Sequence, residues 1–87
     1  MVRTELAEAS ELLASVDASG EAAERLEDIA GQLDRLSTAD RGPDHGRLAR
    51  IQTALGEIQT DVDDEAAATI DGALEQVVAY RETVEGI

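Results

Sequence analysis

Four acids fall within five positions, Asp61, Asp63, Asp64 and Glu65, and such a run is the first place to look for cation chemistry. A calcium loop beginning at Asp61 needs Gly at its sixth position and Glu at its twelfth. Ala66 and Gly72 stand there, so the motif fails. A capping Asp with acids in the next helical turn accounts for the run, because negative charge is stabilised at a helix N-terminus. Weak, unselective association of K⁺ or Mg²⁺ is the cation reading that remains. His45 is the single His, between Asp44 and Gly46, and the Glu-x-x-His and His-x-x-x-His spacings of di-iron and zinc sites are missing. It reads as an exposed residue at a helix start. Cys and Lys are absent, so a nucleophile would have to be Ser, Thr or Asp activated by that one His. Ser10, Ser15, Ser19 and Ser37 have no such motif around them, and the glycines lack phosphate-cradling spacing. The expectation is a protein that is not an enzyme, with no catalytic residue, cofactor or metal ligand.

One stretch departs from this acidic background. Residues 41–50 hold Arg41, Arg47 and Arg50 against Asp44 alone, a formal +2 in a chain of net charge −13. Arg47 and Arg50 are three apart and share a helix face. Guanidinium groups pair bidentately with carboxylates and phosphates, so these three arginines are the candidate partner contacts. The favoured reading pairs them with carboxylates of the chain itself or of a second copy. In an up-down bundle their loop lies beside both termini, near Glu5, Glu82, Glu85 and the C-terminal carboxylate. The patch is too small, and the net charge too negative, for direct nucleic-acid binding.

The elements that must position these residues are helices. Apolar residues recur three and four apart in four sets: Val2, Leu6, Ala9, Leu13, Val16; Ala22, Leu26, Ile29, Leu33, Leu36; Leu48, Ile51, Leu55, Ile58, Val62; and Ile70, Ala73, Val77, Tyr80, Val84. Each is the stripe of an amphipathic helix, and none alternates as a strand does. The helices are expected at 3–17, 20–38, 44–60 and 64–85. Gly42-Pro43 makes the strongest break, with Pro43 or Asp44 starting the next helix. Asp17-Ala18-Ser19-Gly20, with Ser19 a candidate N-cap, and the 60–65 run are softer. The segment Glu11–Asp17 parallels Glu57–Asp63 at an offset of 46, which reads as one helix-turn-helix unit used twice. Short connections between such helices imply an all-α, antiparallel four-helix bundle over residues 1–87 as one domain. The alternative, if the softer breaks do not turn, is a long kinked hairpin that dimerises into a four-helix assembly.

The charge balance speaks to environment. The chain has 20 acids, and all seven basic residues are Arg. At 1 M salt the Debye length is about 3 Å, so repulsion among surface carboxylates is largely screened. Carboxylates favour solubility, whereas a Lys adds a long apolar stem to the surface. Leu, Ile and Val number 20 and Ala 15 of the 87 residues; Phe and Trp are absent and Tyr80 is the only aromatic, expected to pack in the core with its hydroxyl at the rim. Salting-out ions strengthen apolar burial, so such a thin core suffices in concentrated salt. The thin core also favours a homodimer. The segment from Met1 to Glu5 leads straight into the first stripe, so no signal peptide is expected, and no apolar run approaches the roughly 20 residues of a membrane span. The chain reads as soluble, cytoplasmic and adapted to a salt-rich cell.

The pattern Val16-Asp17-Ala18-Ser19-Gly20-Glu21-Ala22-Ala23-Glu24-Arg25-Leu26, followed by Gly42-Pro43-Asp44-His45-Gly46-Arg47-Leu48-Ala49-Arg50-Ile51, resembles short acidic helical proteins of extremely halophilic archaea. Those proteins have no assigned function. The resemblance covers most of the chain and implies an all-α fold and a halophilic cytoplasm; it carries no site residues. Function is therefore expected to be a non-enzymatic interaction or structural module acting as a homodimer or on another protein. The alternatives are an acidic nucleic-acid mimic and a weak cation-binding module.

Overall fold

Each stripe becomes the buried side of its own helix. The computed structural model describes residues 2–84, which form α1 (Thr4–Ala14), α2 (Gly20–Thr38), α3 (His45–Gln59) and α4 (Asp64–Thr83), with no strand among them. Leu6, Leu33, Leu48, Leu55, Ile58, Ile70 and Val77 are fully enclosed, between one and three from every stripe. Both softer breaks turn, so the kinked hairpin does not occur.

The ends of the helices follow local chemistry. The first helix stops at Ala14 rather than 17, because Ser15 folds back: its Oγ donates to Leu12 O at 2.7 Å. Val16 leaves the helix yet still packs against the core, while Val2 precedes the helix and stands exposed. Gly20 takes a φ of +64°, a left-handed conformation that costs Gly little and other residues more. Ser19 holds the N-cap position of α2, but its side chain makes no capping bond. Asp44 and Asp63 do cap, accepting from Arg47 N and Ala66 N at 2.8 Å each. Pro43 therefore precedes the cap of α3 and is itself buried. The α3–α4 turn is closed by Thr60 Oγ1 donating to Glu57 O at 2.7 Å.

Every neighbouring pair runs antiparallel. Ser10 on α1 reaches Ala30 of α2, Arg25 and Gln32 on α2 reach Glu57 and Arg47 of α3, and Gln59 at the end of α3 reaches Ala67 of α4. A Cβ on Gly72 of α4 would meet Leu12 of α1. The order around the bundle is thus α1, α2, α3, α4 and back to α1. The two short turns meet at one end, where Asp17, Ser19, Asp61 and Asp63 line one shallow depression. The 39–44 loop and both terminal segments lie at the other. Packing is uneven: α1 is held closely by α2 and α4, whereas α2 and α3 touch least. Small side chains explain the close pairs, since Ala9, Ala30 and Ala73 let backbones approach. The α2–α3 seam instead carries Ile29, Gln32, Arg47, Arg50 and Ile51. The Cα radius of gyration, 12.2 Å, matches the ~12 Å of a compact chain of this length.

Among the described residues Val2 and Val78 are the only large apolar side chains left exposed. The four stripes therefore close on one another within one chain. No helix is long and apolar enough to cross a membrane among the described residues.

Candidate partner-contact surface

The structure separates the three arginines read from sequence. Arg47 and Arg50 lie on the first two turns of α3 and line an open groove against α2, together with Ile29, Gln32, Ile51 and Ala54. Arg41 is exposed in the α2–α3 loop and does not line it. Arg47 Nη2 donates to Gln32 Oε1 at 3.4 Å, and Gln32 Nε2 donates to Asp28 Oδ2 at 2.8 Å, so Arg47 meets a carboxylate only through an amide. Arg41 and Arg50 form no side-chain hydrogen bond or ion pair with another described residue. Among the described residues the one ion pair is Arg25–Glu57, at 3.0 Å on the surface. Pairing of the island with Glu5 or Glu82 does not occur; Glu85 and the C-terminal carboxylate lie outside the described residues.

The groove continues along α2 past Ala54, where Glu24, Arg25 and Asp28 line it. Its loop-end half thus carries Arg47 and Arg50. Its turn-end half carries Glu24, Asp28 and Glu57 against Arg25. The third helix is the one helix without an acidic excess, having Arg47, Arg50 and a single acid, Glu57.

Two other arginines, which sequence reading passed over, hold the loop end together. Arg3 N donates to Ser37 O at 2.8 Å, and Arg3 Nη1 to Leu36 O and Ala39 O at 3.0 and 2.7 Å. These are the C-terminal carbonyls of α2, left without intrahelical donors and favouring a cation. Arg3 Nε donates to Tyr80 Oη at 3.1 Å. The Tyr80 ring packs against the core while its hydroxyl sits at the rim, as its place in the stripe predicts. Gly42 passes against this pair so closely that a Cβ would stand 2.8 Å from Tyr80 Oη and 2.9 Å from Arg3 Nε. On the other side, Arg81 donates from Nε to His45 Nδ1 at 3.1 Å and from Nη1 to Gln52 Oε1 at 2.8 Å. A guanidinium only donates, so His45 Nδ1 accepts and Nε2 carries the proton offered to Val84 O at 3.3 Å. His45 is therefore half-buried and bonded through both ring nitrogens, not a free residue at a helix start. One signal was present for Arg3: α2 ends at Thr38-Ala39 without the Gly that usually caps such an end, so its carbonyls need a donor from elsewhere.

The acidic turn end carries no arrangement of three or more His, Cys, Asp or Glu side chains able to hold a metal ion among the described residues. Asp63 there caps α4, with Asp64 and Glu65 in the following turn. The model of a family of unknown function, DUF7553, matches residues 1–83. The chain belongs to that family. No curated protein and no solved structure matches it. DUF7553 membership brings no assigned function and no site residue of its own.

Proposed function

We propose that this DUF7553 protein is a non-enzymatic protein–protein interaction module that acts as a homodimer through its α2–α3 face. One observation carries the reading: in a chain of net charge −13, two arginines without a direct carboxylate partner among the described residues line the bundle's most open seam. Because the apolar stripes are already covered within one chain, the interface is polar and charged rather than an apolar seam. The absence of Cys and Lys, and of any catalytic spacing around His45 or the serines, supports the non-enzymatic part. The lysine-free basic set and acidic surface further support a cytoplasm of concentrated salt as its setting. A nucleic-acid mimic needs carboxylates in a phosphate-like row. Exposed acids here lie on all four helices and in all three connections, which argues against it.

Light scattering over a concentration series in molar KCl, with amide chemical-shift mapping of the same samples, tests the proposal. Concentration-dependent mass with shifts confined to α2 and α3 is the expected result. A monomer at all concentrations that shows no such shifts defeats it.

A further inference from the structure

We infer that the second copy docks antiparallel across the α2–α3 groove, the basic half of each copy lying on the acidic half of the other. This rests on the homodimer reading above and supplies its geometry. The argument is the charge order along the groove. From loop end to turn end, α3 presents Arg47, Arg50, Ala54 and Glu57, and α2 beside it presents Gln32, Asp28 and Glu24. One half has two guanidinium groups, and the other has three carboxylates against Arg25. Glu24, Asp28, Arg50 and Glu57 are exposed and Arg47 half-exposed, so a partner can reach these charges, Glu57 while it stays paired with Arg25.

A two-fold axis lying in the interface and crossing the groove reverses its direction. Such an isologous contact sets the loop-end half of one copy over the turn-end half of the other, twice. An axis running along the groove would instead set the loop-end half of each copy, with its two arginines, over the loop-end half of the other and the acidic half over the acidic half, and like charges facing one another oppose docking. The antiparallel arrangement is the self-complementary one. Ala54, between the charged halves and half-exposed, leaves room for close approach at the centre. The 15 residues of α3 extend about 22 Å, and two adjacent helices are about 20 Å across, a footprint on the order of 400 Å². That size belongs to weak, reversible association.

Paired charge reversals test this in the full chain. Arg47→Glu/Arg50→Glu and Glu24→Arg/Asp28→Arg are each expected to raise the dimer Kd by at least about tenfold. An equimolar mixture of the two variants is expected to dimerise, because both contact zones of the heterodimer are then complementary. The chain carrying all four changes is expected to dimerise as well. Circular dichroism establishes that each variant is folded, and the milder Arg47→Gln/Arg50→Gln replaces the reversal if it is not. A wild-type dimer that either reversal leaves intact, or a mixture that stays monomeric, overturns the geometry alone. A wild type that is monomeric at every concentration overturns the homodimer reading with it.

Discussion

Arg3 does the work that a C-terminal Gly cap commonly does, and it does so from the N-cap position of α1. Its guanidinium and backbone N–H serve three carbonyls at the end of α2, while Nε holds the Tyr80 hydroxyl. Gly42 is small because this pair leaves no space beside it. Replacing Gly42 with Ala should cost about 1–3 kcal/mol, the usual scale of forcing extra volume into a packed site. Arg3→Ala should cost a similar amount, through charge-assisted bonds lost at half-buried carbonyls. Both changes act on one clasp, so the double variant should lose less than the sum of the two. Chemical denaturation of the four proteins of this cycle in concentrated KCl measures it. Strict additivity would show that Gly42 and Arg3 act separately. Tyr80 was legible from its phase in the stripe, but Arg3 was not, since its role depends on which helix end arrives beside it.

Helix ends show where local sequence rules decide and where they do not. Asp63 and Asp44 cap as their types and positions predict, whereas Ser19 stands at an N-cap without making the bond. Asp63→Ala should therefore destabilise the protein by about 1 kcal/mol, and Ser19→Ala should leave it nearly unchanged. Thermal melts of the two variants give the comparison, and equal losses would contradict it. Among the elements, α3 has the loosest side, toward α2, whereas α1 is held on both flanks. Amide hydrogens of α3 should exchange with solvent faster than those of α1, because opening free energy follows local packing. Hydrogen-exchange mass spectrometry or NMR reads this directly, and slower exchange in α3 would refute it. The two matching halves of the sequence thus share a hairpin plan but not equal packing. A repeat in sequence says nothing about which copy takes the central place.

Charge is distributed unevenly over the whole molecule. The turn end gathers Asp17, Asp61, Asp63 and Glu65 around its surface depressions, and the loop end gathers Arg3, Arg41, Arg47 and Arg81. Internal ion pairing does little to offset the excess of acids, since Arg25–Glu57 is solvent-exposed and such pairs contribute about 0–1 kcal/mol. On the salt-rich setting proposed above, screening supplies what pairing does not. Helicity by circular dichroism should fall as KCl is lowered below about 0.5 M, where carboxylate repulsion acts over longer distances. Full helicity in dilute buffer would remove the argument for adaptation to salt. The effect should be cooperative, because a core of Leu, Ile, Val and Ala without large aromatics leaves a domain of this size little reserve.

Periodicity, breaks and capping residues determined by themselves that this chain makes four amphipathic helices and that acids coat its surface. Those are local properties, set by 3.6-residue spacing and by the φ, ψ and hydrogen-bonding preferences of neighbouring residues. Only the tertiary structure decided that the stripes close within one chain, that Arg3 and Arg81 rather than the island arginines secure the loop end, and that Arg47 and Arg50 face an open seam. Such outcomes depend on how closely each pair of helices can approach. Small residues draw α1 between α2 and α4, while larger and charged ones hold α2 and α3 apart, and no single segment of sequence carries that comparison.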